Sequence, residues 1–255
     1  MSDAPYPSSL RQTLALSVFV FTALIAVYGS SYAGVFTSDD EHLLAAGALS
    51  LARWGQLDTA PAFGNSRLRE LQQLPHYTDI VPGQAILGSL FVRLADTTGL
   101  GALQSLFWLN SIVTALTAVV VLFVVRQLGY PPSVALVAAF GYGLGTLAWP
   151  YAQTFFRDPL AALFAAAAYL AFETALADGQ TSRTRLIAGI FTVVLLSLGL
   201  LAKITVGVAA AMFALAALVR IFGTASLRAY RRTLLVLLSA VFTILLLAAL
   251  LVPAT

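Results

Sequence analysis

The chain has 255 residues, of which 60% are hydrophobic and 10% are charged. Soluble globular domains carry about 25% charged residues, so this composition excludes a soluble enzyme, a nucleic-acid-binding module and a disordered segment. The sequence contains no cysteine, which excludes disulfides and thiolate metal ligands. A transmembrane helix needs about 20 apolar residues, and several uncharged runs approach that length. The composition predicts an all-α, polytopic bundle of transmembrane helices.

Charged residues and prolines divide the chain into apolar runs that predict about seven spans. In chain order these are about Leu14–Phe36, Leu100–Val125, Val134–Trp149, Pro159–Leu176, Leu186–Ala202, Ile204–Val219 and Thr233–Val252. A single helix from Leu186 to Val219 would be about 50 Å long at 1.5 Å per residue. The hydrocarbon core of a bilayer is about 30 Å thick, so we expect a helix break between Lys203 and Gly207.

The distribution of charge predicts the orientation of an integral membrane protein. With seven spans and a cytoplasmic N-terminus, eight arginines and three acidic residues lie inside, whereas eight acidic and six basic residues lie outside. This arrangement satisfies the positive-inside rule. With six spans, the arginines between Arg220 and Arg232 would lie outside instead, so seven spans are favoured.

The first outer loop, residues 37–99, is too long for a simple connection. It contains two amphipathic stretches, His42–Trp54 and Gln84–Asp96, that are too short to span a membrane. Amphipathic helices of this kind lie in the plane of the membrane interface. We therefore expect a single transmembrane domain over residues 1–255, with two interfacial helices above the outer end of the bundle.

An acidic cluster, Asp39-Asp40-Glu41, follows the first span and precedes His42. Adjacent carboxylates repel one another, so such a cluster is expected to retain a proton or to attract a cation. It would then supply a general base or a ligand for a divalent ion. The same residues also fit a solvated cluster that caps the following helix, because Asp is a favoured N-cap residue.

Two further segments carry residues suited to binding a sugar or a phosphate. Trp149–Pro159 joins the third and fourth predicted spans and combines aromatic residues with Arg157 and Asp158. It also fits an ordinary interfacial belt of aromatic residues. Lys203, the only lysine, lies between two apolar runs, and ionisable residues at membrane depth usually have a function. The alternative for Lys203 is a side chain that reaches the outer interface.

Four segments, in this order along the chain, resemble the polyprenyl-phosphate-sugar-dependent membrane glycosyltransferases of the GT-C superfamily. More narrowly, they resemble its mannosyltransferase and aminoarabinose-transferase-like branch, of the family 39 type. Ser38–His42 is similar to the acidic motif after the first helix, and Tyr77–Leu90 to the Pro-Gly segment before the second loop helix. Gly143–Pro159 resembles the Gly-Thr-x-x-Trp-Pro-Tyr stretch, and Gly199–Lys203 the Gly-Leu-Ala segment with its following base. The resemblance covers the N-terminal half of such enzymes, so the C-terminal part of their architecture is expected to be missing.

The resemblance implies transfer of a sugar from a polyprenyl-phosphate donor to an acceptor on the outer face of a bacterial-type plasma membrane. Asp40 would be the general base that deprotonates the acceptor hydroxyl, with Glu41 as the supporting catalytic carboxylate. A divalent cation is the one cofactor expected, with Asp39, Asp40 and Asp158 as its candidate ligands.

The resemblance also implies the residues that bind the substrate. Its partners would be the lipid-linked sugar and the surrounding membrane lipids. Lys203 and Arg157 would bind the lipid-linked phosphate, and the remaining members of the predicted site are Asp158, Tyr151 and Tyr77. Two alternatives remain open: a non-catalytic GT-C-like subunit that binds protein partners in a larger membrane complex, and a transporter of lipid-linked sugars.

Overall fold

The structure is a computed structural model that describes residues 10–32, 34–57 and 82–223, together with Ser239 and Thr243. Throughout these residues the backbone forms α-helices joined by turns, and no strand occurs among them. The chain divides into two compact units, Met1–Leu163 and Phe164–Thr255. Each unit is described by itself below.

The described helices follow one another in the order expected from the apolar runs. They are α1 Leu10–Ser30, α2 Asp39–Trp54, α3 Gly83–Thr98, α4 Ala102–Gln127, α5 Pro132–Gly145, α6 Ala148–Ala152, α7 Asp158–Leu176, α8 Ser182–Ala202 and α9 Val206–Gly223. Four of them, α1, α4, α7 and α8, are long and apolar enough to cross a membrane. Two shorter apolar helices are α5 and residues Val206–Arg220 of α9.

The all-α class predicted from the composition is confirmed for the described residues, and the four long apolar helices are consistent with an integral membrane protein. The predicted number of about seven spans stays a prediction. Its seventh member, Thr233–Val252, lies outside the described residues apart from Ser239 and Thr243.

Two helices end earlier than the apolar runs predicted. The first ends at Ser30 rather than Phe36, where the hydroxyls of Ser30 and Ser31 donate to the carbonyl of Val27 at 2.8 and 2.9 Å. Such local side-chain bonds compete with the continuing helix. The third predicted span ends at Gly145 instead of Trp149, because Thr146 is extended there. Neither helix end can be predicted from apolar composition.

The core of the first unit forms where α4 contacts α1, α3, α5 and α6. Val20 and Leu24 of α1 pack there against alanines of α4 and α5. Gly143 of α5 permits this approach, since a Cβ atom at that position would lie 2.8 Å from the side chain of Leu24. The hydroxyl of Tyr28 donates to the carbonyl of Gly143 at 2.9 Å, so the same contact also satisfies a buried polar group.

Helices occur at both predicted amphipathic stretches, and α2 packs against α3. The uncharged polar residues Gln84 and Ser89 of α3 face the protein, at 0% and 4% exposed, whereas the charged Arg93 and Asp96 are exposed. Its apolar stripe is the exposed one, with Ile86 at 42%, Leu90 at 55% and Leu94 at 58%. This polarity suits a helix that presents leucines to lipid, although its placement in a membrane interface stays a prediction.

An ion pair joins the C-terminal ends of α2 and α3. The guanidinium of Arg53 donates to both carboxylate oxygens of Asp96, at 2.9 and 3.1 Å. Arg53 lowers the pKa of Asp96 below its ordinary value, mainly through this hydrogen bond. At neutral pH the ion pair therefore connects the exposed C-terminal ends of α2 and α3.

The second unit contains the predicted break between its apolar runs. α8 ends at Ala202, Lys203 is extended, and α9 begins at Val206. Near the other end of α9, Arg220 forms a bidentate pair with Glu173 at 2.9 and 3.0 Å. Bidentate carboxylate pairs are among the strongest charge-assisted hydrogen bonds, and this one ties α9 to α7.

Candidate functional site

The acidic cluster forms the first turn of α2, and its three members have different surroundings. Ser38 is the N-cap, and its hydroxyl accepts from the N–H of Glu41 at 3.4 Å. Asp39 and Asp40 are exposed, whereas Glu41 is 0% exposed. An Asp or Glu in the first turn also interacts favourably with the helix dipole. The helix start therefore separates two solvent-facing carboxylates from one buried carboxylate.

Glu41 joins the start of α2 to the segment between α6 and α7. Its Oε2 accepts from the N–H and the hydroxyl of Thr37 at 2.6 and 2.7 Å. Its Oε1 accepts from the N–H of Phe155 at 2.7 Å. Both carboxylate oxygens are thus engaged by donors of the protein, which suits Glu41 to positioning rather than to proton transfer.

Three buried polar side chains bind the same segment, residues 152–157, through its carbonyls. Asn110 of α4 donates to the carbonyl of Phe156 at 2.8 Å, and Ser111 donates to that of Ala152 at 2.8 Å. Gln84 of α3 donates to the carbonyl of Phe155 at 3.5 Å and to the side-chain oxygen of Asn110 at 2.9 Å. Together with Glu41, these residues fix the backbone that leads directly into Arg157 and Asp158.

The α5–α6 corner is held to the end of α1. The indole N–H of Trp149 donates to the hydroxyl of Ser31 at 3.2 Å. The amide of Gln153 donates to the same hydroxyl at 2.8 Å and to the carbonyl of Tyr28 at 3.1 Å. These contacts fix both ends of α6, so its aromatic residues are held in place.

A cavity of about 480 Å³ lies in the first unit beside this fixed segment. A volume of this size falls in the range of small-molecule sites. Leu147, one of the residues that line the cavity, is 72% exposed, so the cavity opens to the surface at this residue. Its lining combines hydroxyls, aromatic rings and one carboxylate: Thr114, Tyr142, Thr146, Leu147, Ala148, Tyr151, Asp158, Pro159 and Ala162.

Of the residues predicted from the sequence, Tyr151 and Asp158 lie together in the lining of this cavity. Arg157 immediately precedes Asp158 and is partly exposed. Asp40 stands next to Glu41, whose bond to Phe155 brings the start of α2 against the segment that ends at Asp158. The structure therefore brings the acidic cluster and the aromatic segment into one region of the first unit.

The remaining predicted residues lie elsewhere. Lys203 belongs to the second unit, where it is partly exposed at the turn between α8 and α9. Tyr77 lies outside the described residues. Within residues 10–32, 34–57 and 82–223, no three His, Asp or Glu side chains are grouped so that they would hold a metal ion. The cation site of Asp39, Asp40 and Asp158 stays a prediction.

Comparisons with protein families, with curated proteins and with solved structures found no match to this chain. The GT-C resemblance therefore rests on the four sequence segments alone.

Gln84, Asn110 and Ser111 support the site but were not among the residues predicted from the sequence. The available signal was their polarity, because Asn110 carries an amide within a largely apolar run that composition identified as a span. Buried polar groups in such a helix need hydrogen-bond partners. Sequence spacing alone does not identify those partners, which lie 26 to 71 residues further along the chain.

Proposed function

We propose that this chain is a membrane glycosyltransferase domain that transfers a sugar from a polyprenyl-phosphate donor to an acceptor hydroxyl at the outer membrane face. The observation that carries the proposal is the cavity lined by Tyr151 and Asp158, two residues of a segment that the bond between Glu41 and Phe155 joins to the start of α2. Aromatic rings cover the apolar faces of a sugar, and a carboxylate with nearby hydroxyls holds its polar edge. Most sites for small molecules combine such walls with a few directed polar groups.

In the proposed reaction Asp40 is the general base. The acceptor oxygen attacks the anomeric carbon of the sugar, and the bond between that carbon and the phosphate oxygen breaks. The polyprenyl phosphate leaves with the bonding electron pair, while the acceptor proton passes to Asp40. A positioned general base contributes about 10²–10⁴-fold to such a step.

Different residues support the two ends of the reaction. Glu41 is assigned a positioning role, because its carboxylate oxygens already accept hydrogen bonds from Thr37 and Phe155. Arg157 is assigned to the leaving phosphate, where a cation stabilises the developing charge. Phosphate binding by Lys203 and a divalent cation at Asp39, Asp40 and Asp158 remain parts of the proposal that the sequence resemblance alone supports.

The proposal includes the membrane topology expected from the charges. We infer that α5 and α9 span as well as the four longer helices, and that Thr233–Val252 completes seven spans with a cytoplasmic N-terminus. The support is that α5 and residues Val206–Arg220 are apolar. The exposed leucines of α3 would then lie in the outer interface, next to the site.

Transfer by the purified chain in liposomes tests the proposed function. The donor is a prenyl-phosphate sugar, and release of prenyl phosphate is measured in the presence of membrane-derived acceptors. Asp40→Asn is expected to abolish transfer, whereas the matched control Asp178→Asn, which removes an exposed carboxylate elsewhere, is expected to retain it. Full activity of Asp40→Asn would contradict the assignment of the base.

The same preparation tests the alternative of a non-catalytic subunit. If the wild-type chain forms no product with any donor and copurifies in fixed stoichiometry with other membrane proteins, the enzyme proposal is wrong. Movement of the intact donor across the bilayer without its cleavage would instead support transport.

A further inference from the structure

Thr114 lies in the wall of the cavity and carries a buried hydroxyl. It lies on α4, is 1% exposed, and is one of the residues that line the cavity. Among the residues that the structure describes, none forms a hydrogen bond with its Oγ1 atom. A buried hydroxyl without a partner costs free energy that a hydrogen bond would recover.

Three other threonines on the long apolar helices form a hydrogen bond within their own helix. Thr117, Thr174 and Thr192 each donate to the carbonyl four residues earlier, at 2.8, 2.8 and 2.9 Å respectively. This bond to the carbonyl one turn earlier is one way in which a threonine inside a helix satisfies its hydroxyl. Thr117 follows Thr114 by less than one turn of α4, so the helix itself does not prevent the bond.

The cavity distinguishes Thr114 from other unpaired atoms in the described part of the chain. Ser50 Oγ and Gln84 Oε1 are also buried without partners, but neither residue belongs to the lining of the cavity. Thr114 instead shares that lining with Tyr151 and Asp158. Its hydroxyl is closed to solvent in the structure, and a rotation of the Thr114 side chain would turn it towards a molecule that enters beside those two side chains.

We propose that Thr114 is a ligand-binding residue whose Oγ1 hydrogen-bonds a ring hydroxyl of the sugar that occupies this cavity. The proposal rests on the proposed function, because it takes the headgroup to be a sugar. A threonine hydroxyl both donates and accepts, as a sugar hydroxyl does, so the two pair in either direction. A prenyl chain offers no group that would satisfy Oγ1, which favours the sugar end of the donor as the occupant.

Thr114→Val tests this assignment, because valine keeps the branched shape and removes the hydroxyl. Thr192→Val is the matched control, since Thr192 is a buried threonine of the second unit whose hydroxyl is bonded within α8. Binding is measured by calorimetry in detergent with ten-carbon prenyl phosphate, alone and linked to mannose, glucose or arabinose. Thermal unfolding of each variant is recorded in parallel.

We expect Thr114→Val to weaken binding of the best sugar-linked probe about 5- to 10-fold, as loss of one hydrogen bond would. Affinity for the sugar-free probe is expected to stay unchanged, and the unfolding midpoint is expected to stay equal or rise. Thr192→Val should leave the affinities for all probes unchanged. A panel of monodeoxy sugars should include one analogue that the wild type and Thr114→Val bind equally well.

The proposal is overturned if Thr114→Val binds the sugar-linked probes as tightly as the wild type does, or if both kinds of probe weaken equally. A lower unfolding midpoint with unchanged affinity would assign Thr114 to packing and also overturn it. Equal wild-type affinity for sugar-linked and sugar-free probes overturns it as well, even if Asp40-dependent transfer is observed. Conversely, a selective loss in Thr114→Val together with transfer by Asp40→Asn would support Thr114 and contradict only the proposed base.

Discussion

Replacing Glu41 by alanine should destabilise the first unit far more than its position in an acidic cluster suggests. Glu41 is 0% exposed and accepts three hydrogen bonds. Two come from Thr37, which is exposed, so those donors can turn to water when the carboxylate is lost. The N–H of Phe155 has no such alternative, because Phe155 is 0% exposed.

These contacts set the magnitude of the effect. An unsatisfied buried donor costs about 1–3 kcal/mol, and a hydrogen bond to a charged group contributes about 1.5–3 kcal/mol. Allowing for solvation of Thr37, we expect Glu41→Ala to lower the free energy of unfolding by about 3 kcal/mol. Glu41→Gln keeps the shape and one acceptor oxygen but directs an amide N–H at the donors of Thr37, so we expect a loss of about 1–2 kcal/mol.

The assay is thermal unfolding in detergent, followed by the fluorescence of tryptophans that include Trp108 and Trp149 in the first unit. A loss of about 3 kcal/mol corresponds to a fall of about 6–12 °C in the unfolding midpoint for a chain of this size. Asp40→Asn is the matched control, because it changes an exposed neighbour and should alter stability by no more than about 0.5 kcal/mol. Equal midpoints for Glu41→Ala and Asp40→Asn would refute the positioning role of Glu41.

Two further predictions concern the helices that support the site. A Cβ atom at Gly88 would lie 2.7 Å from Phe155 and 3.0 Å from Leu106, so Gly88→Ala should lower the free energy of unfolding by about 1–3 kcal/mol through overpacking. Gly141 has open space around it, so Gly141→Ala should not destabilise the protein. Equal unfolding midpoints for the two variants would contradict this packing. Because Arg53 lowers the pKa of Asp96, the ion pair should stabilise α2 and α3 above the ordinary carboxyl pKa and lose that contribution as the pH falls through the lowered value. Asp96→Asn should therefore remove part of the acid sensitivity of stability, measured between pH 7 and pH 2, and an unchanged pH profile would exclude a contribution from this pair.

The sequence was sufficient to predict helix boundaries that depend on charged residues or on the length of an apolar run. The break at Lys203 followed from the length of a continuous helix, and the structure has it between Ala202 and Val206. The break at Thr146 was not predicted, because the run continues with apolar Leu147 and Ala148 and contains no charge. Local hydrogen bonds of Thr146, to the carbonyl of Tyr142 and from the N–H of Ala148, determine that break.

Some residues of the candidate site were predicted from the sequence and others were not. Spacing identified Tyr151 and Asp158 as members of one segment, and the structure has both in the lining of one cavity. The sequence did not predict that Asp40 is exposed and Glu41 is buried, because the two adjacent carboxylates differ only through the fold, which places the N–H of Phe155 against Glu41. Thr114 was missed for the same reason: its unpaired hydroxyl is a property of packing between helices.

The central claim, sugar transfer with Asp40 as the base, is tested most directly by the single-turnover rate of prenyl-phosphate release. The rate is compared between the wild type and Asp40→Asn under conditions in which both bind the donor equally. The account predicts a fall of about 10²–10⁴-fold for Asp40→Asn, the contribution of a positioned general base, with an unchanged unfolding midpoint. A rate within a few-fold of the wild type, with the donor bound and cleaved, would contradict it.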